Sequence, residues 1–245
     1  MPANKNKIFN REISWLHFNA RVLQEATDPS TPLIDRLHFL GIYSNNLDEF
    51  FRVRVATITR MSVMEKKLFN DKYINPKKTL REINRIEKDQ QKEFQHIYSS
   101  VLTELASQNV FFINETELTA EQGIFVKQYF KKYVRPNLFP ILLNNLKATS
   151  LHDHPLYLAV VLQVRNKPSL EKYALVEVPV DLLPRFLILP SEDNNKYIFF
   201  LDDVIRYCLD EIFDVFGYTS YKAYSVKFTR DAELDIDSDV SKSFL

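Results

Sequence analysis

Glycine is scarce in this chain. Three residues, Gly41, Gly123 and Gly217, occur among 245, where the average usage of about 7% would give roughly 17. They lie far apart in the sequence, so neither a Walker loop nor the glycine-rich turn of a dinucleotide-binding unit can be written with them. A nucleotide site in this chain must therefore be built without a glycine-rich phosphate loop.

Cysteine is scarcer still, since Cys208 is the one example. This excludes an internal disulfide and a cysteine-based zinc site, and it is typical of a reducing compartment. No segment approaches the length of a membrane-spanning helix, about 20 apolar residues, and the first residues lack the apolar stretch of a secretory signal. Lysine plus arginine (32) balance aspartate plus glutamate (32). We therefore expect a soluble, cytoplasmic protein without a nucleic-acid partner.

The first part of the chain has the periodicity of helices. Ser14 is a candidate cap for the first helix, and Thr31-Pro32 opens a second, because proline at the first helical position gives up no needed hydrogen bond. The longest helical stripe runs from residue 76 to residue 108. These segments predict a small antiparallel helical bundle.

The segment GIYSNNLDEFFRVRV, residues 41 to 55, places two amides before two carboxylates. Asn46 and Glu49 have the spacing of a capping box, so we expect Gly41 to interrupt one helix and Asn46 to begin the next. Asn45 is then free to offer a donor and an acceptor together, the combination that pairs with an adenine edge. The alternative is that both amides serve only as caps, the commoner role of asparagine at a helix start.

The FRVRV run, residues 51 to 55, alternates apolar and basic residues as a strand does, but the 3–4 spacing of the surrounding apolar residues favours a helix. Arg52, Arg54 and Arg60 are candidates for holding a phosphate chain, because a guanidinium group contacts two oxygens at once. The alternative, which the sequence favours, is that they are solvated or paired with the carboxylates that precede them.

Lys127, Lys131 and Arg135 form a second basic stripe, at helical spacings i, i+4 and i+8. Cations near the C-terminus of a helix also stabilise its dipole. The sequence therefore leaves open whether this stripe contacts phosphate or only supports its helix.

After about residue 108 the pattern changes. Thr119 and Gln122 form a capping box that opens a helix, which Arg135-Pro136 should stop, and a further helix is predicted from Asp202 to Phe213. Five strands are predicted, at residues 156 to 164, 173 to 180, 185 to 190, 197 to 201 and 221 to 228. The predicted fold class is α+β, with an all-α bundle at residues 1 to 108 and an incomplete α+β domain at residues 109 to 245.

Other reactive side chains have simpler explanations. His152-Asp153-His154 lacks a further histidine or cysteine close in sequence, so we do not expect zinc there. His17, His38 and His96 are expected to pack or cap on helices. Cys208 lies on an apolar helix face and is expected to be a buried structural thiol. No catalytic residue and no metal ligand is assigned.

Longer stretches of the sequence resemble one known family. The segments SWLHFNARVLQEA and SNNLDEFF, followed by ALVEVPVDLLPRF, DDVIRYCLDEIF and AYSVKFTRDAELDID, are similar to the long bacterial polyphosphate kinases that work through a phosphorylated histidine. The resemblance spans nearly the whole chain in the order of the family. Composition and residue spacing alone do not identify a reaction.

The resemblance implies a homodimeric or homotetrameric enzyme that reversibly moves the terminal phosphate of ATP, giving ADP, onto inorganic polyphosphate with Mg²⁺. It implies that residues 1 to 108 form a helical domain over the nucleotide site. Residues 109 onward would form a phox-homology-like head that makes dimer contacts. Peripheral association with the inner membrane is left open.

In this family the asparagine of the S-N-N-L-D-E-F motif contacts adenine, and it matches Asn45. The phosphorylated histidine and the Mg²⁺-binding residues belong to the C-terminal half and match nothing here, so we expect the chain to be part of a longer protein and to be inactive alone. The alternative is a non-catalytic helical module whose head binds a polyanion or a phosphoinositide through the Lys127, Lys131 and Arg135 stripe.

Overall fold

The computed structural model describes residues 9–63, 75–143, 156–164, 167–192 and 194–230. They fall into two compact units, a helical unit that extends to Glu104 and a head unit, Leu105–Thr229. The predicted α+β class is confirmed, because the first unit is helical and the second contains two sheets with helices. The assignment of residues 1 to 108 and 109 to 245 to a nucleotide cap and a dimer-contact head stays a prediction.

The helices of the first unit follow one another along the chain. They are α1 (Arg11–Thr27), α2 (Leu33–Glu49), a π-helical segment (Phe50–Val55), α3 (Ala56–Val63) and α4 (Pro76–Ser107). Asn10 caps α1, because its side chain accepts hydrogen bonds from the backbone nitrogens of Glu12 and Ile13. The predicted cap, Ser14, is wrong: asparagine is at least as good a cap as serine, and Asn10 starts the helix one turn earlier.

The predicted interruption at Gly41 is also wrong. Helix α2 runs unbroken from Leu33 to Glu49. A glycine inside a helix costs about 1 kcal/mol relative to alanine, and burial of Leu40 and Tyr43, each 3% exposed, offsets that cost on the buried side of the helix. Asn46 is therefore an interior helical residue and does not cap a new helix.

Apolar side chains from α1, α3, α4 and the π segment form the core of the helical unit. Trp15 stacks on Phe50 with ring centroids 4.4 Å apart and planes within 3°. The buried members of this cluster are Leu16, Phe50, Ile58, Ile83 and Ile86. Arg36, 5% exposed, joins three helices, since it donates to the carbonyl of Ala26 at 2.7 Å and to Oε2 of Glu104 at 2.7 Å.

Helices and strands alternate irregularly in the head unit. The helices are α5 (Ala120–Tyr129), a second π segment (Phe130–Val134), a 3₁₀ turn (Arg135–Asn137), α6 (Leu201–Tyr207), α7 (Leu209–Phe213) and a 3₁₀ turn (Asp214–Phe216). The strands are β1 (Val110–Ile113), β2 (Ile141–Leu142), β3 (Leu156–Val164), β4 (Lys167–Glu177), β5 (Phe186–Leu189), β6 (Lys196–Phe200) and β7 (Ser220–Lys227). The capping box of Thr119 and Gln122 is confirmed at the start of α5.

Two sheets organise these strands. One has the order β1-β6-β5, with β1 parallel and β5 antiparallel to β6. The other has the order β2-β4-β3-β7 and is antiparallel throughout. Side chains of α5, α6, α7 and both sheets share one core, which includes Phe130, Leu158, Phe199 and Phe213, all fully buried. None of the described helices is both long and apolar enough to cross a lipid bilayer.

Candidate functional site

Asn45 and Asn46 lie on different sides of α2. Asn45 is exposed, one turn before the end of the helix, whereas Asn46 is half-buried. Successive residues of an α-helix are about 100° apart around its axis, so an inward Asn46 turns Asn45 towards solvent. The predicted capping role of Asn46 is wrong, because its side chain bonds sideways to Asn19 from inside α2. The predicted contact of Asn45 with adenine stays a prediction.

The anchor is a chain of hydrogen bonds across three helices, buried except for the partly buried bond that Asn46 makes. Nδ2 of Asn46 donates to Oδ1 of Asn19 at 3.0 Å, and Nδ2 of Asn19 donates to the carbonyl of Tyr43 at 3.2 Å. The hydroxyl of Tyr43 donates to Oε1 of Gln90 at 3.1 Å, and Nε2 of Gln90 donates to the carbonyl of Leu16 at 3.1 Å. Such a network fixes a helix in rotation, because each buried partner would be left unsatisfied if α2 turned.

Burial also keeps this network in one protonation state. Desolvation, with the charges of Glu87 and Glu93, raises the pKa of Tyr43 to about 12. The phenol is therefore neutral at physiological pH and acts as a hydrogen-bond donor to Gln90. The outward face that carries Asn45 rests on an uncharged, pH-insensitive support.

The π segment follows directly after α2 and confirms the helical reading of FRVRV over the strand alternative. Its first residue, Phe50, stacks on Trp15 in the core, and Phe51 lies edge-on to Phe50 with ring centroids 6.1 Å apart. Short π segments inside helices occur often at functional sites. Here the segment redirects the side chains beyond Asn45, among them Arg52 and Arg54.

The two arginines of the π segment differ in their partners. Nε of Arg54 donates to Oε1 of Glu12 at 3.0 Å, and Nη2 contacts the same oxygen. Nη1 of Arg52 lies 3.6 Å from Oε2 of Glu49, which is beyond hydrogen-bond distance. Nε of Arg52 is buried and has no hydrogen-bond partner among the residues that the structure describes.

Arg54 also borders a small recess in the helical unit, and so do Asn10, Met61 and Thr79. Its volume is about 80 Å³, well below the roughly 300–1,000 Å³ of pockets that hold small molecules. This recess is therefore too small to enclose a nucleotide, and Asn45 does not line it.

The basic stripe of the head unit is engaged with carboxylates. Nζ of Lys127 lies 3.8 Å from Oδ2 of Asp210, and Nζ of Lys131 lies 3.3 Å from Oε1 of Glu211. The π segment at Phe130–Val134 interrupts the α-helical spacing before Arg135. These ion pairs join the stripe to α7. Whether the stripe contacts phosphate stays a prediction that nothing here tests.

A charged cluster at the start of α6 was not singled out from the sequence. Arg206 contacts Asp203 and lies 3.3 Å from Glu115, while Asp202 pairs with Arg185 at 3.0 Å and accepts a hydrogen bond from the hydroxyl of Ser225 at 2.8 Å. Burial raises the pKa of Asp203 to about 6, and the charge of Arg206 opposes that shift. The D-D-x-x-R spacing, which puts both carboxylates within a helical turn of the arginine, could have revealed it.

Cys208 and the histidines are the remaining reactive side chains that the sequence singles out. Cys208 is fully buried, and this burial raises the pKa of its thiol to about 12, so the expectation of a structural thiol is confirmed. His17, His38 and His96 are exposed on helices rather than packed. His152-Asp153-His154 lies outside the described residues. Across the described ranges, no three His, Cys, Asp or Glu side chains are placed to hold a metal ion.

Comparison with family models matches the chain twice. Residues 8–113 match the polyphosphate kinase N-terminal domain, and residues 121–245 match the polyphosphate kinase middle domain. A polyphosphate kinase of Yersinia pestis is 42% identical over 241 residues, covering 96% of this chain and 34% of that protein. One of Vibrio cholerae is 40% identical over 250 residues, covering 100% of this chain and 35% of that protein.

A solved structure agrees with these sequence matches. The crystal structure of the polyphosphate kinase from Porphyromonas gingivalis superposes with a TM-score of 0.78 and 34% identity, covering 92% of this chain and 33% of that one. The chain thus spans about a third of the length of the curated relatives that it matches.

Proposed function

The chain belongs to the polyphosphate kinase family, and from this premise we propose that it supplies the first two domains of an enzyme that transfers the terminal phosphate of ATP reversibly to inorganic polyphosphate. The helical unit is the part that binds the adenine of ATP, and the head unit carries contacts between subunits. The phosphorylated histidine lies beyond residue 245.

One observation carries the adenine assignment. Asn45 offers an exposed amide in the last turns of α2, whose rotation is fixed by the partly buried Asn46–Asn19 hydrogen bond. A primary amide presents a donor and an acceptor side by side, which matches the N6 and N7 edge of adenine. A rigid helix holds such a group better than a loop, because the bound geometry is already formed before the ligand arrives.

The described residues do not fit the Mg²⁺ ion that the family likeness implies, because no cluster of three ligating side chains occurs in those ranges. Phosphoryl transfer needs a nucleophile and cations that offset the charge of the transferred group. On this proposal those groups come from the rest of the enzyme, and the residues described here bind and orient the nucleotide.

The head unit supports the proposed homo-oligomer through one face of the β1-β6-β5 sheet. Phe186 and Ile188, 54% and 68% exposed, lie on this face beside Phe112 and Phe200. The ring centroids of Phe112 and Phe200 lie 6.4 and 5.3 Å from that of Phe186. Contiguous apolar patches of this kind mark interaction surfaces in soluble proteins. A second copy of the enzyme is the partner that the proposal assigns to it.

Kinetics of the full-length enzyme test the proposal. Asn45→Ala should raise the KM for ATP, with a smaller effect on the KM for polyphosphate, since the amide contacts only the base. Unchanged ATP kinetics would remove Asn45 from the site. The isolated 245-residue chain should form no polyphosphate from radiolabelled ATP, and labelled product from the purified chain would overturn the placement of the chemistry elsewhere.

A further inference from the structure

Arg52 follows Asn45 by seven positions along one continuous helical path. Seven residues are close to two α-helical turns, so the two side chains leave roughly the same side of the helix about 10 Å apart along its axis. The wider π turn rotates Arg52 by some tens of degrees from strict alignment without taking it to the opposite face. A ligand lying along this face would meet an amide at one end and a guanidinium group at the other.

The guanidinium group of Arg52 is poorly satisfied in its present position. Its side chain is 31% exposed, and its ion pair is with Glu49, which is itself 63% exposed and 3.6 Å away. Its buried Nε has no hydrogen-bond partner among the described residues. An unmade hydrogen bond of a buried donor is costly, so the side chain gains stability by turning outward to a stronger acceptor.

Two other arginines of the helical unit have guanidinium groups that are better satisfied than that of Arg52. Arg54 makes two contacts with Glu12, the Nε contact at 3.0 Å. Arg36 makes two hydrogen bonds of 2.7 Å, to Ala26 and Glu104. Both of these guanidinium groups are committed to partners within the helical unit, whereas Arg52 retains donors for a ligand.

The charges around Arg52 indicate which chemical group of a ligand would contact its guanidinium group. Asp48 and Glu49 lie between Asn45 and Arg52 in sequence, so Arg52 is the cation of this segment that can offset their charge towards an anionic ligand. A guanidinium group binds phosphate oxygens in pairs and more strongly than it binds a distant, solvated carboxylate. The base of a nucleoside triphosphate is separated from its phosphates by the ribose, a separation that suits residues two helical turns apart.

From this geometry, and resting on the proposed adenine contact of Asn45, we infer that Arg52 is a second nucleotide-binding residue, which exchanges Glu49 for the phosphate chain of the bound nucleoside triphosphate. No bond is made or broken in this exchange. Glu49 acts as the placeholder partner of Arg52 while the site is empty.

Binding measurements on the full-length enzyme separate the two ends of the ligand. The affinities for ATP and for adenosine, a probe without phosphate, are measured by competition for wild type, Asn45→Ala and Arg52→Gln. Arg52→Gln should weaken ATP about tenfold, the scale of one charge-assisted hydrogen bond, and leave adenosine within about twofold. Asn45→Ala should weaken both probes by similar factors. Arg85→Gln, which removes an exposed charge paired with Glu82 on α4, is the control and should change neither.

Two further variants test whether Glu49 competes with ATP for Arg52 and whether the planar guanidinium group is needed. Glu49→Gln removes the competing partner and one negative charge, so ATP should bind a few-fold more tightly. Arg52→Lys keeps the charge without the planar fork and should recover part of the lost affinity. Circular dichroism and the melting temperature of each variant show whether the helix is intact.

The outcomes distinguish this inference from the function on which it rests. If Arg52→Gln weakens ATP and adenosine equally, or weakens neither while Asn45→Ala weakens both, the phosphate role of Arg52 is overturned and the adenine role of Asn45 stands. If Glu49→Gln weakens ATP, the exchange of partners is wrong. If Asn45→Ala leaves both affinities unchanged, the proposed adenine contact itself fails.

Discussion

The same substitution made at two neighbouring positions of α2 should have opposite consequences. Asn46→Ala removes the donor to Oδ1 of Asn19, a residue that is 0% exposed. A buried acceptor left unsatisfied costs about 1–3 kcal/mol. Asn45→Ala removes an exposed side chain and leaves the buried network unchanged.

Alanine favours an α-helix over asparagine by up to about 0.7 kcal/mol, and this gain is common to both variants. The difference between them therefore isolates the network, and Asn46→Ala should be about 1–3 kcal/mol less stable than Asn45→Ala. For a chain of this size that corresponds to a melting temperature about 2–12 °C lower. ATP binding should show the reverse order, with Asn45→Ala the more damaging change once both proteins are folded.

Fluorescence of Trp15 is a suitable assay, because it is the single tryptophan of the chain and stacks on Phe50 in the core of the helical unit. Urea titrations of the two variants would report unfolding of that unit specifically. Equal urea midpoints for Asn45→Ala and Asn46→Ala would refute the reasoning, because the two amides would then have equivalent surroundings. Asn19→Ala, which removes the other half of the pair and also the donor to the carbonyl of Tyr43, should be at least as destabilising as Asn46→Ala.

Three other predictions address the head unit. Cys208 should resist a thiol reagent at pH 8 in the native chain and react after denaturation, because burial raises its pKa to about 12; fast native labelling would contradict this. Burial raises the pKa of Asp203 to about 6. Between about pH 4 and 6, therefore, the Asp203 carboxyl keeps its proton in the folded chain but has lost it in the unfolded chain. The free energy of unfolding should therefore fall as pH rises through that window, and a pH series on Asp203→Asn should be flatter there than wild type. Ile188→Asp on the exposed sheet face should lower the mass of the full-length enzyme measured by light scattering, and an unchanged mass would exclude that face from the subunit contact.

Much of the fold could be read from the sequence because local signals and tertiary packing agree. The apolar stripe of α4, the nine residues of β3 and the capping box at Thr119 are strong patterns that the structure repeats. The short strand β2, Ile141–Leu142, was missed because two residues carry no periodicity, and it depends on pairing with β4. A strand of that length is decided by its partner rather than by its own sequence.

The candidate site was predicted only in part, for a related reason. Asn46 and Glu49 have the spacing of a capping box, but the same spacing occurs inside any helix. What decides between the two is the hydrogen bond from Asn46 to Asn19, 27 positions away in sequence. The π segment that sets the direction of Arg52 likewise follows from the packing of Phe50 against Trp15. Long-range contacts of this kind leave no local signal.

The central claim is that a fixed helix presents Asn45 to the base of ATP. A structure of the full-length enzyme with a non-hydrolysable ATP analogue tests it most directly. The account predicts that the Asn45 amide lies within about 3.2 Å of the adenine edge, with Asn46 still bonded to Asn19. A well-defined base that is bound by other residues, with the Asn45 side chain remote from it, would contradict the account.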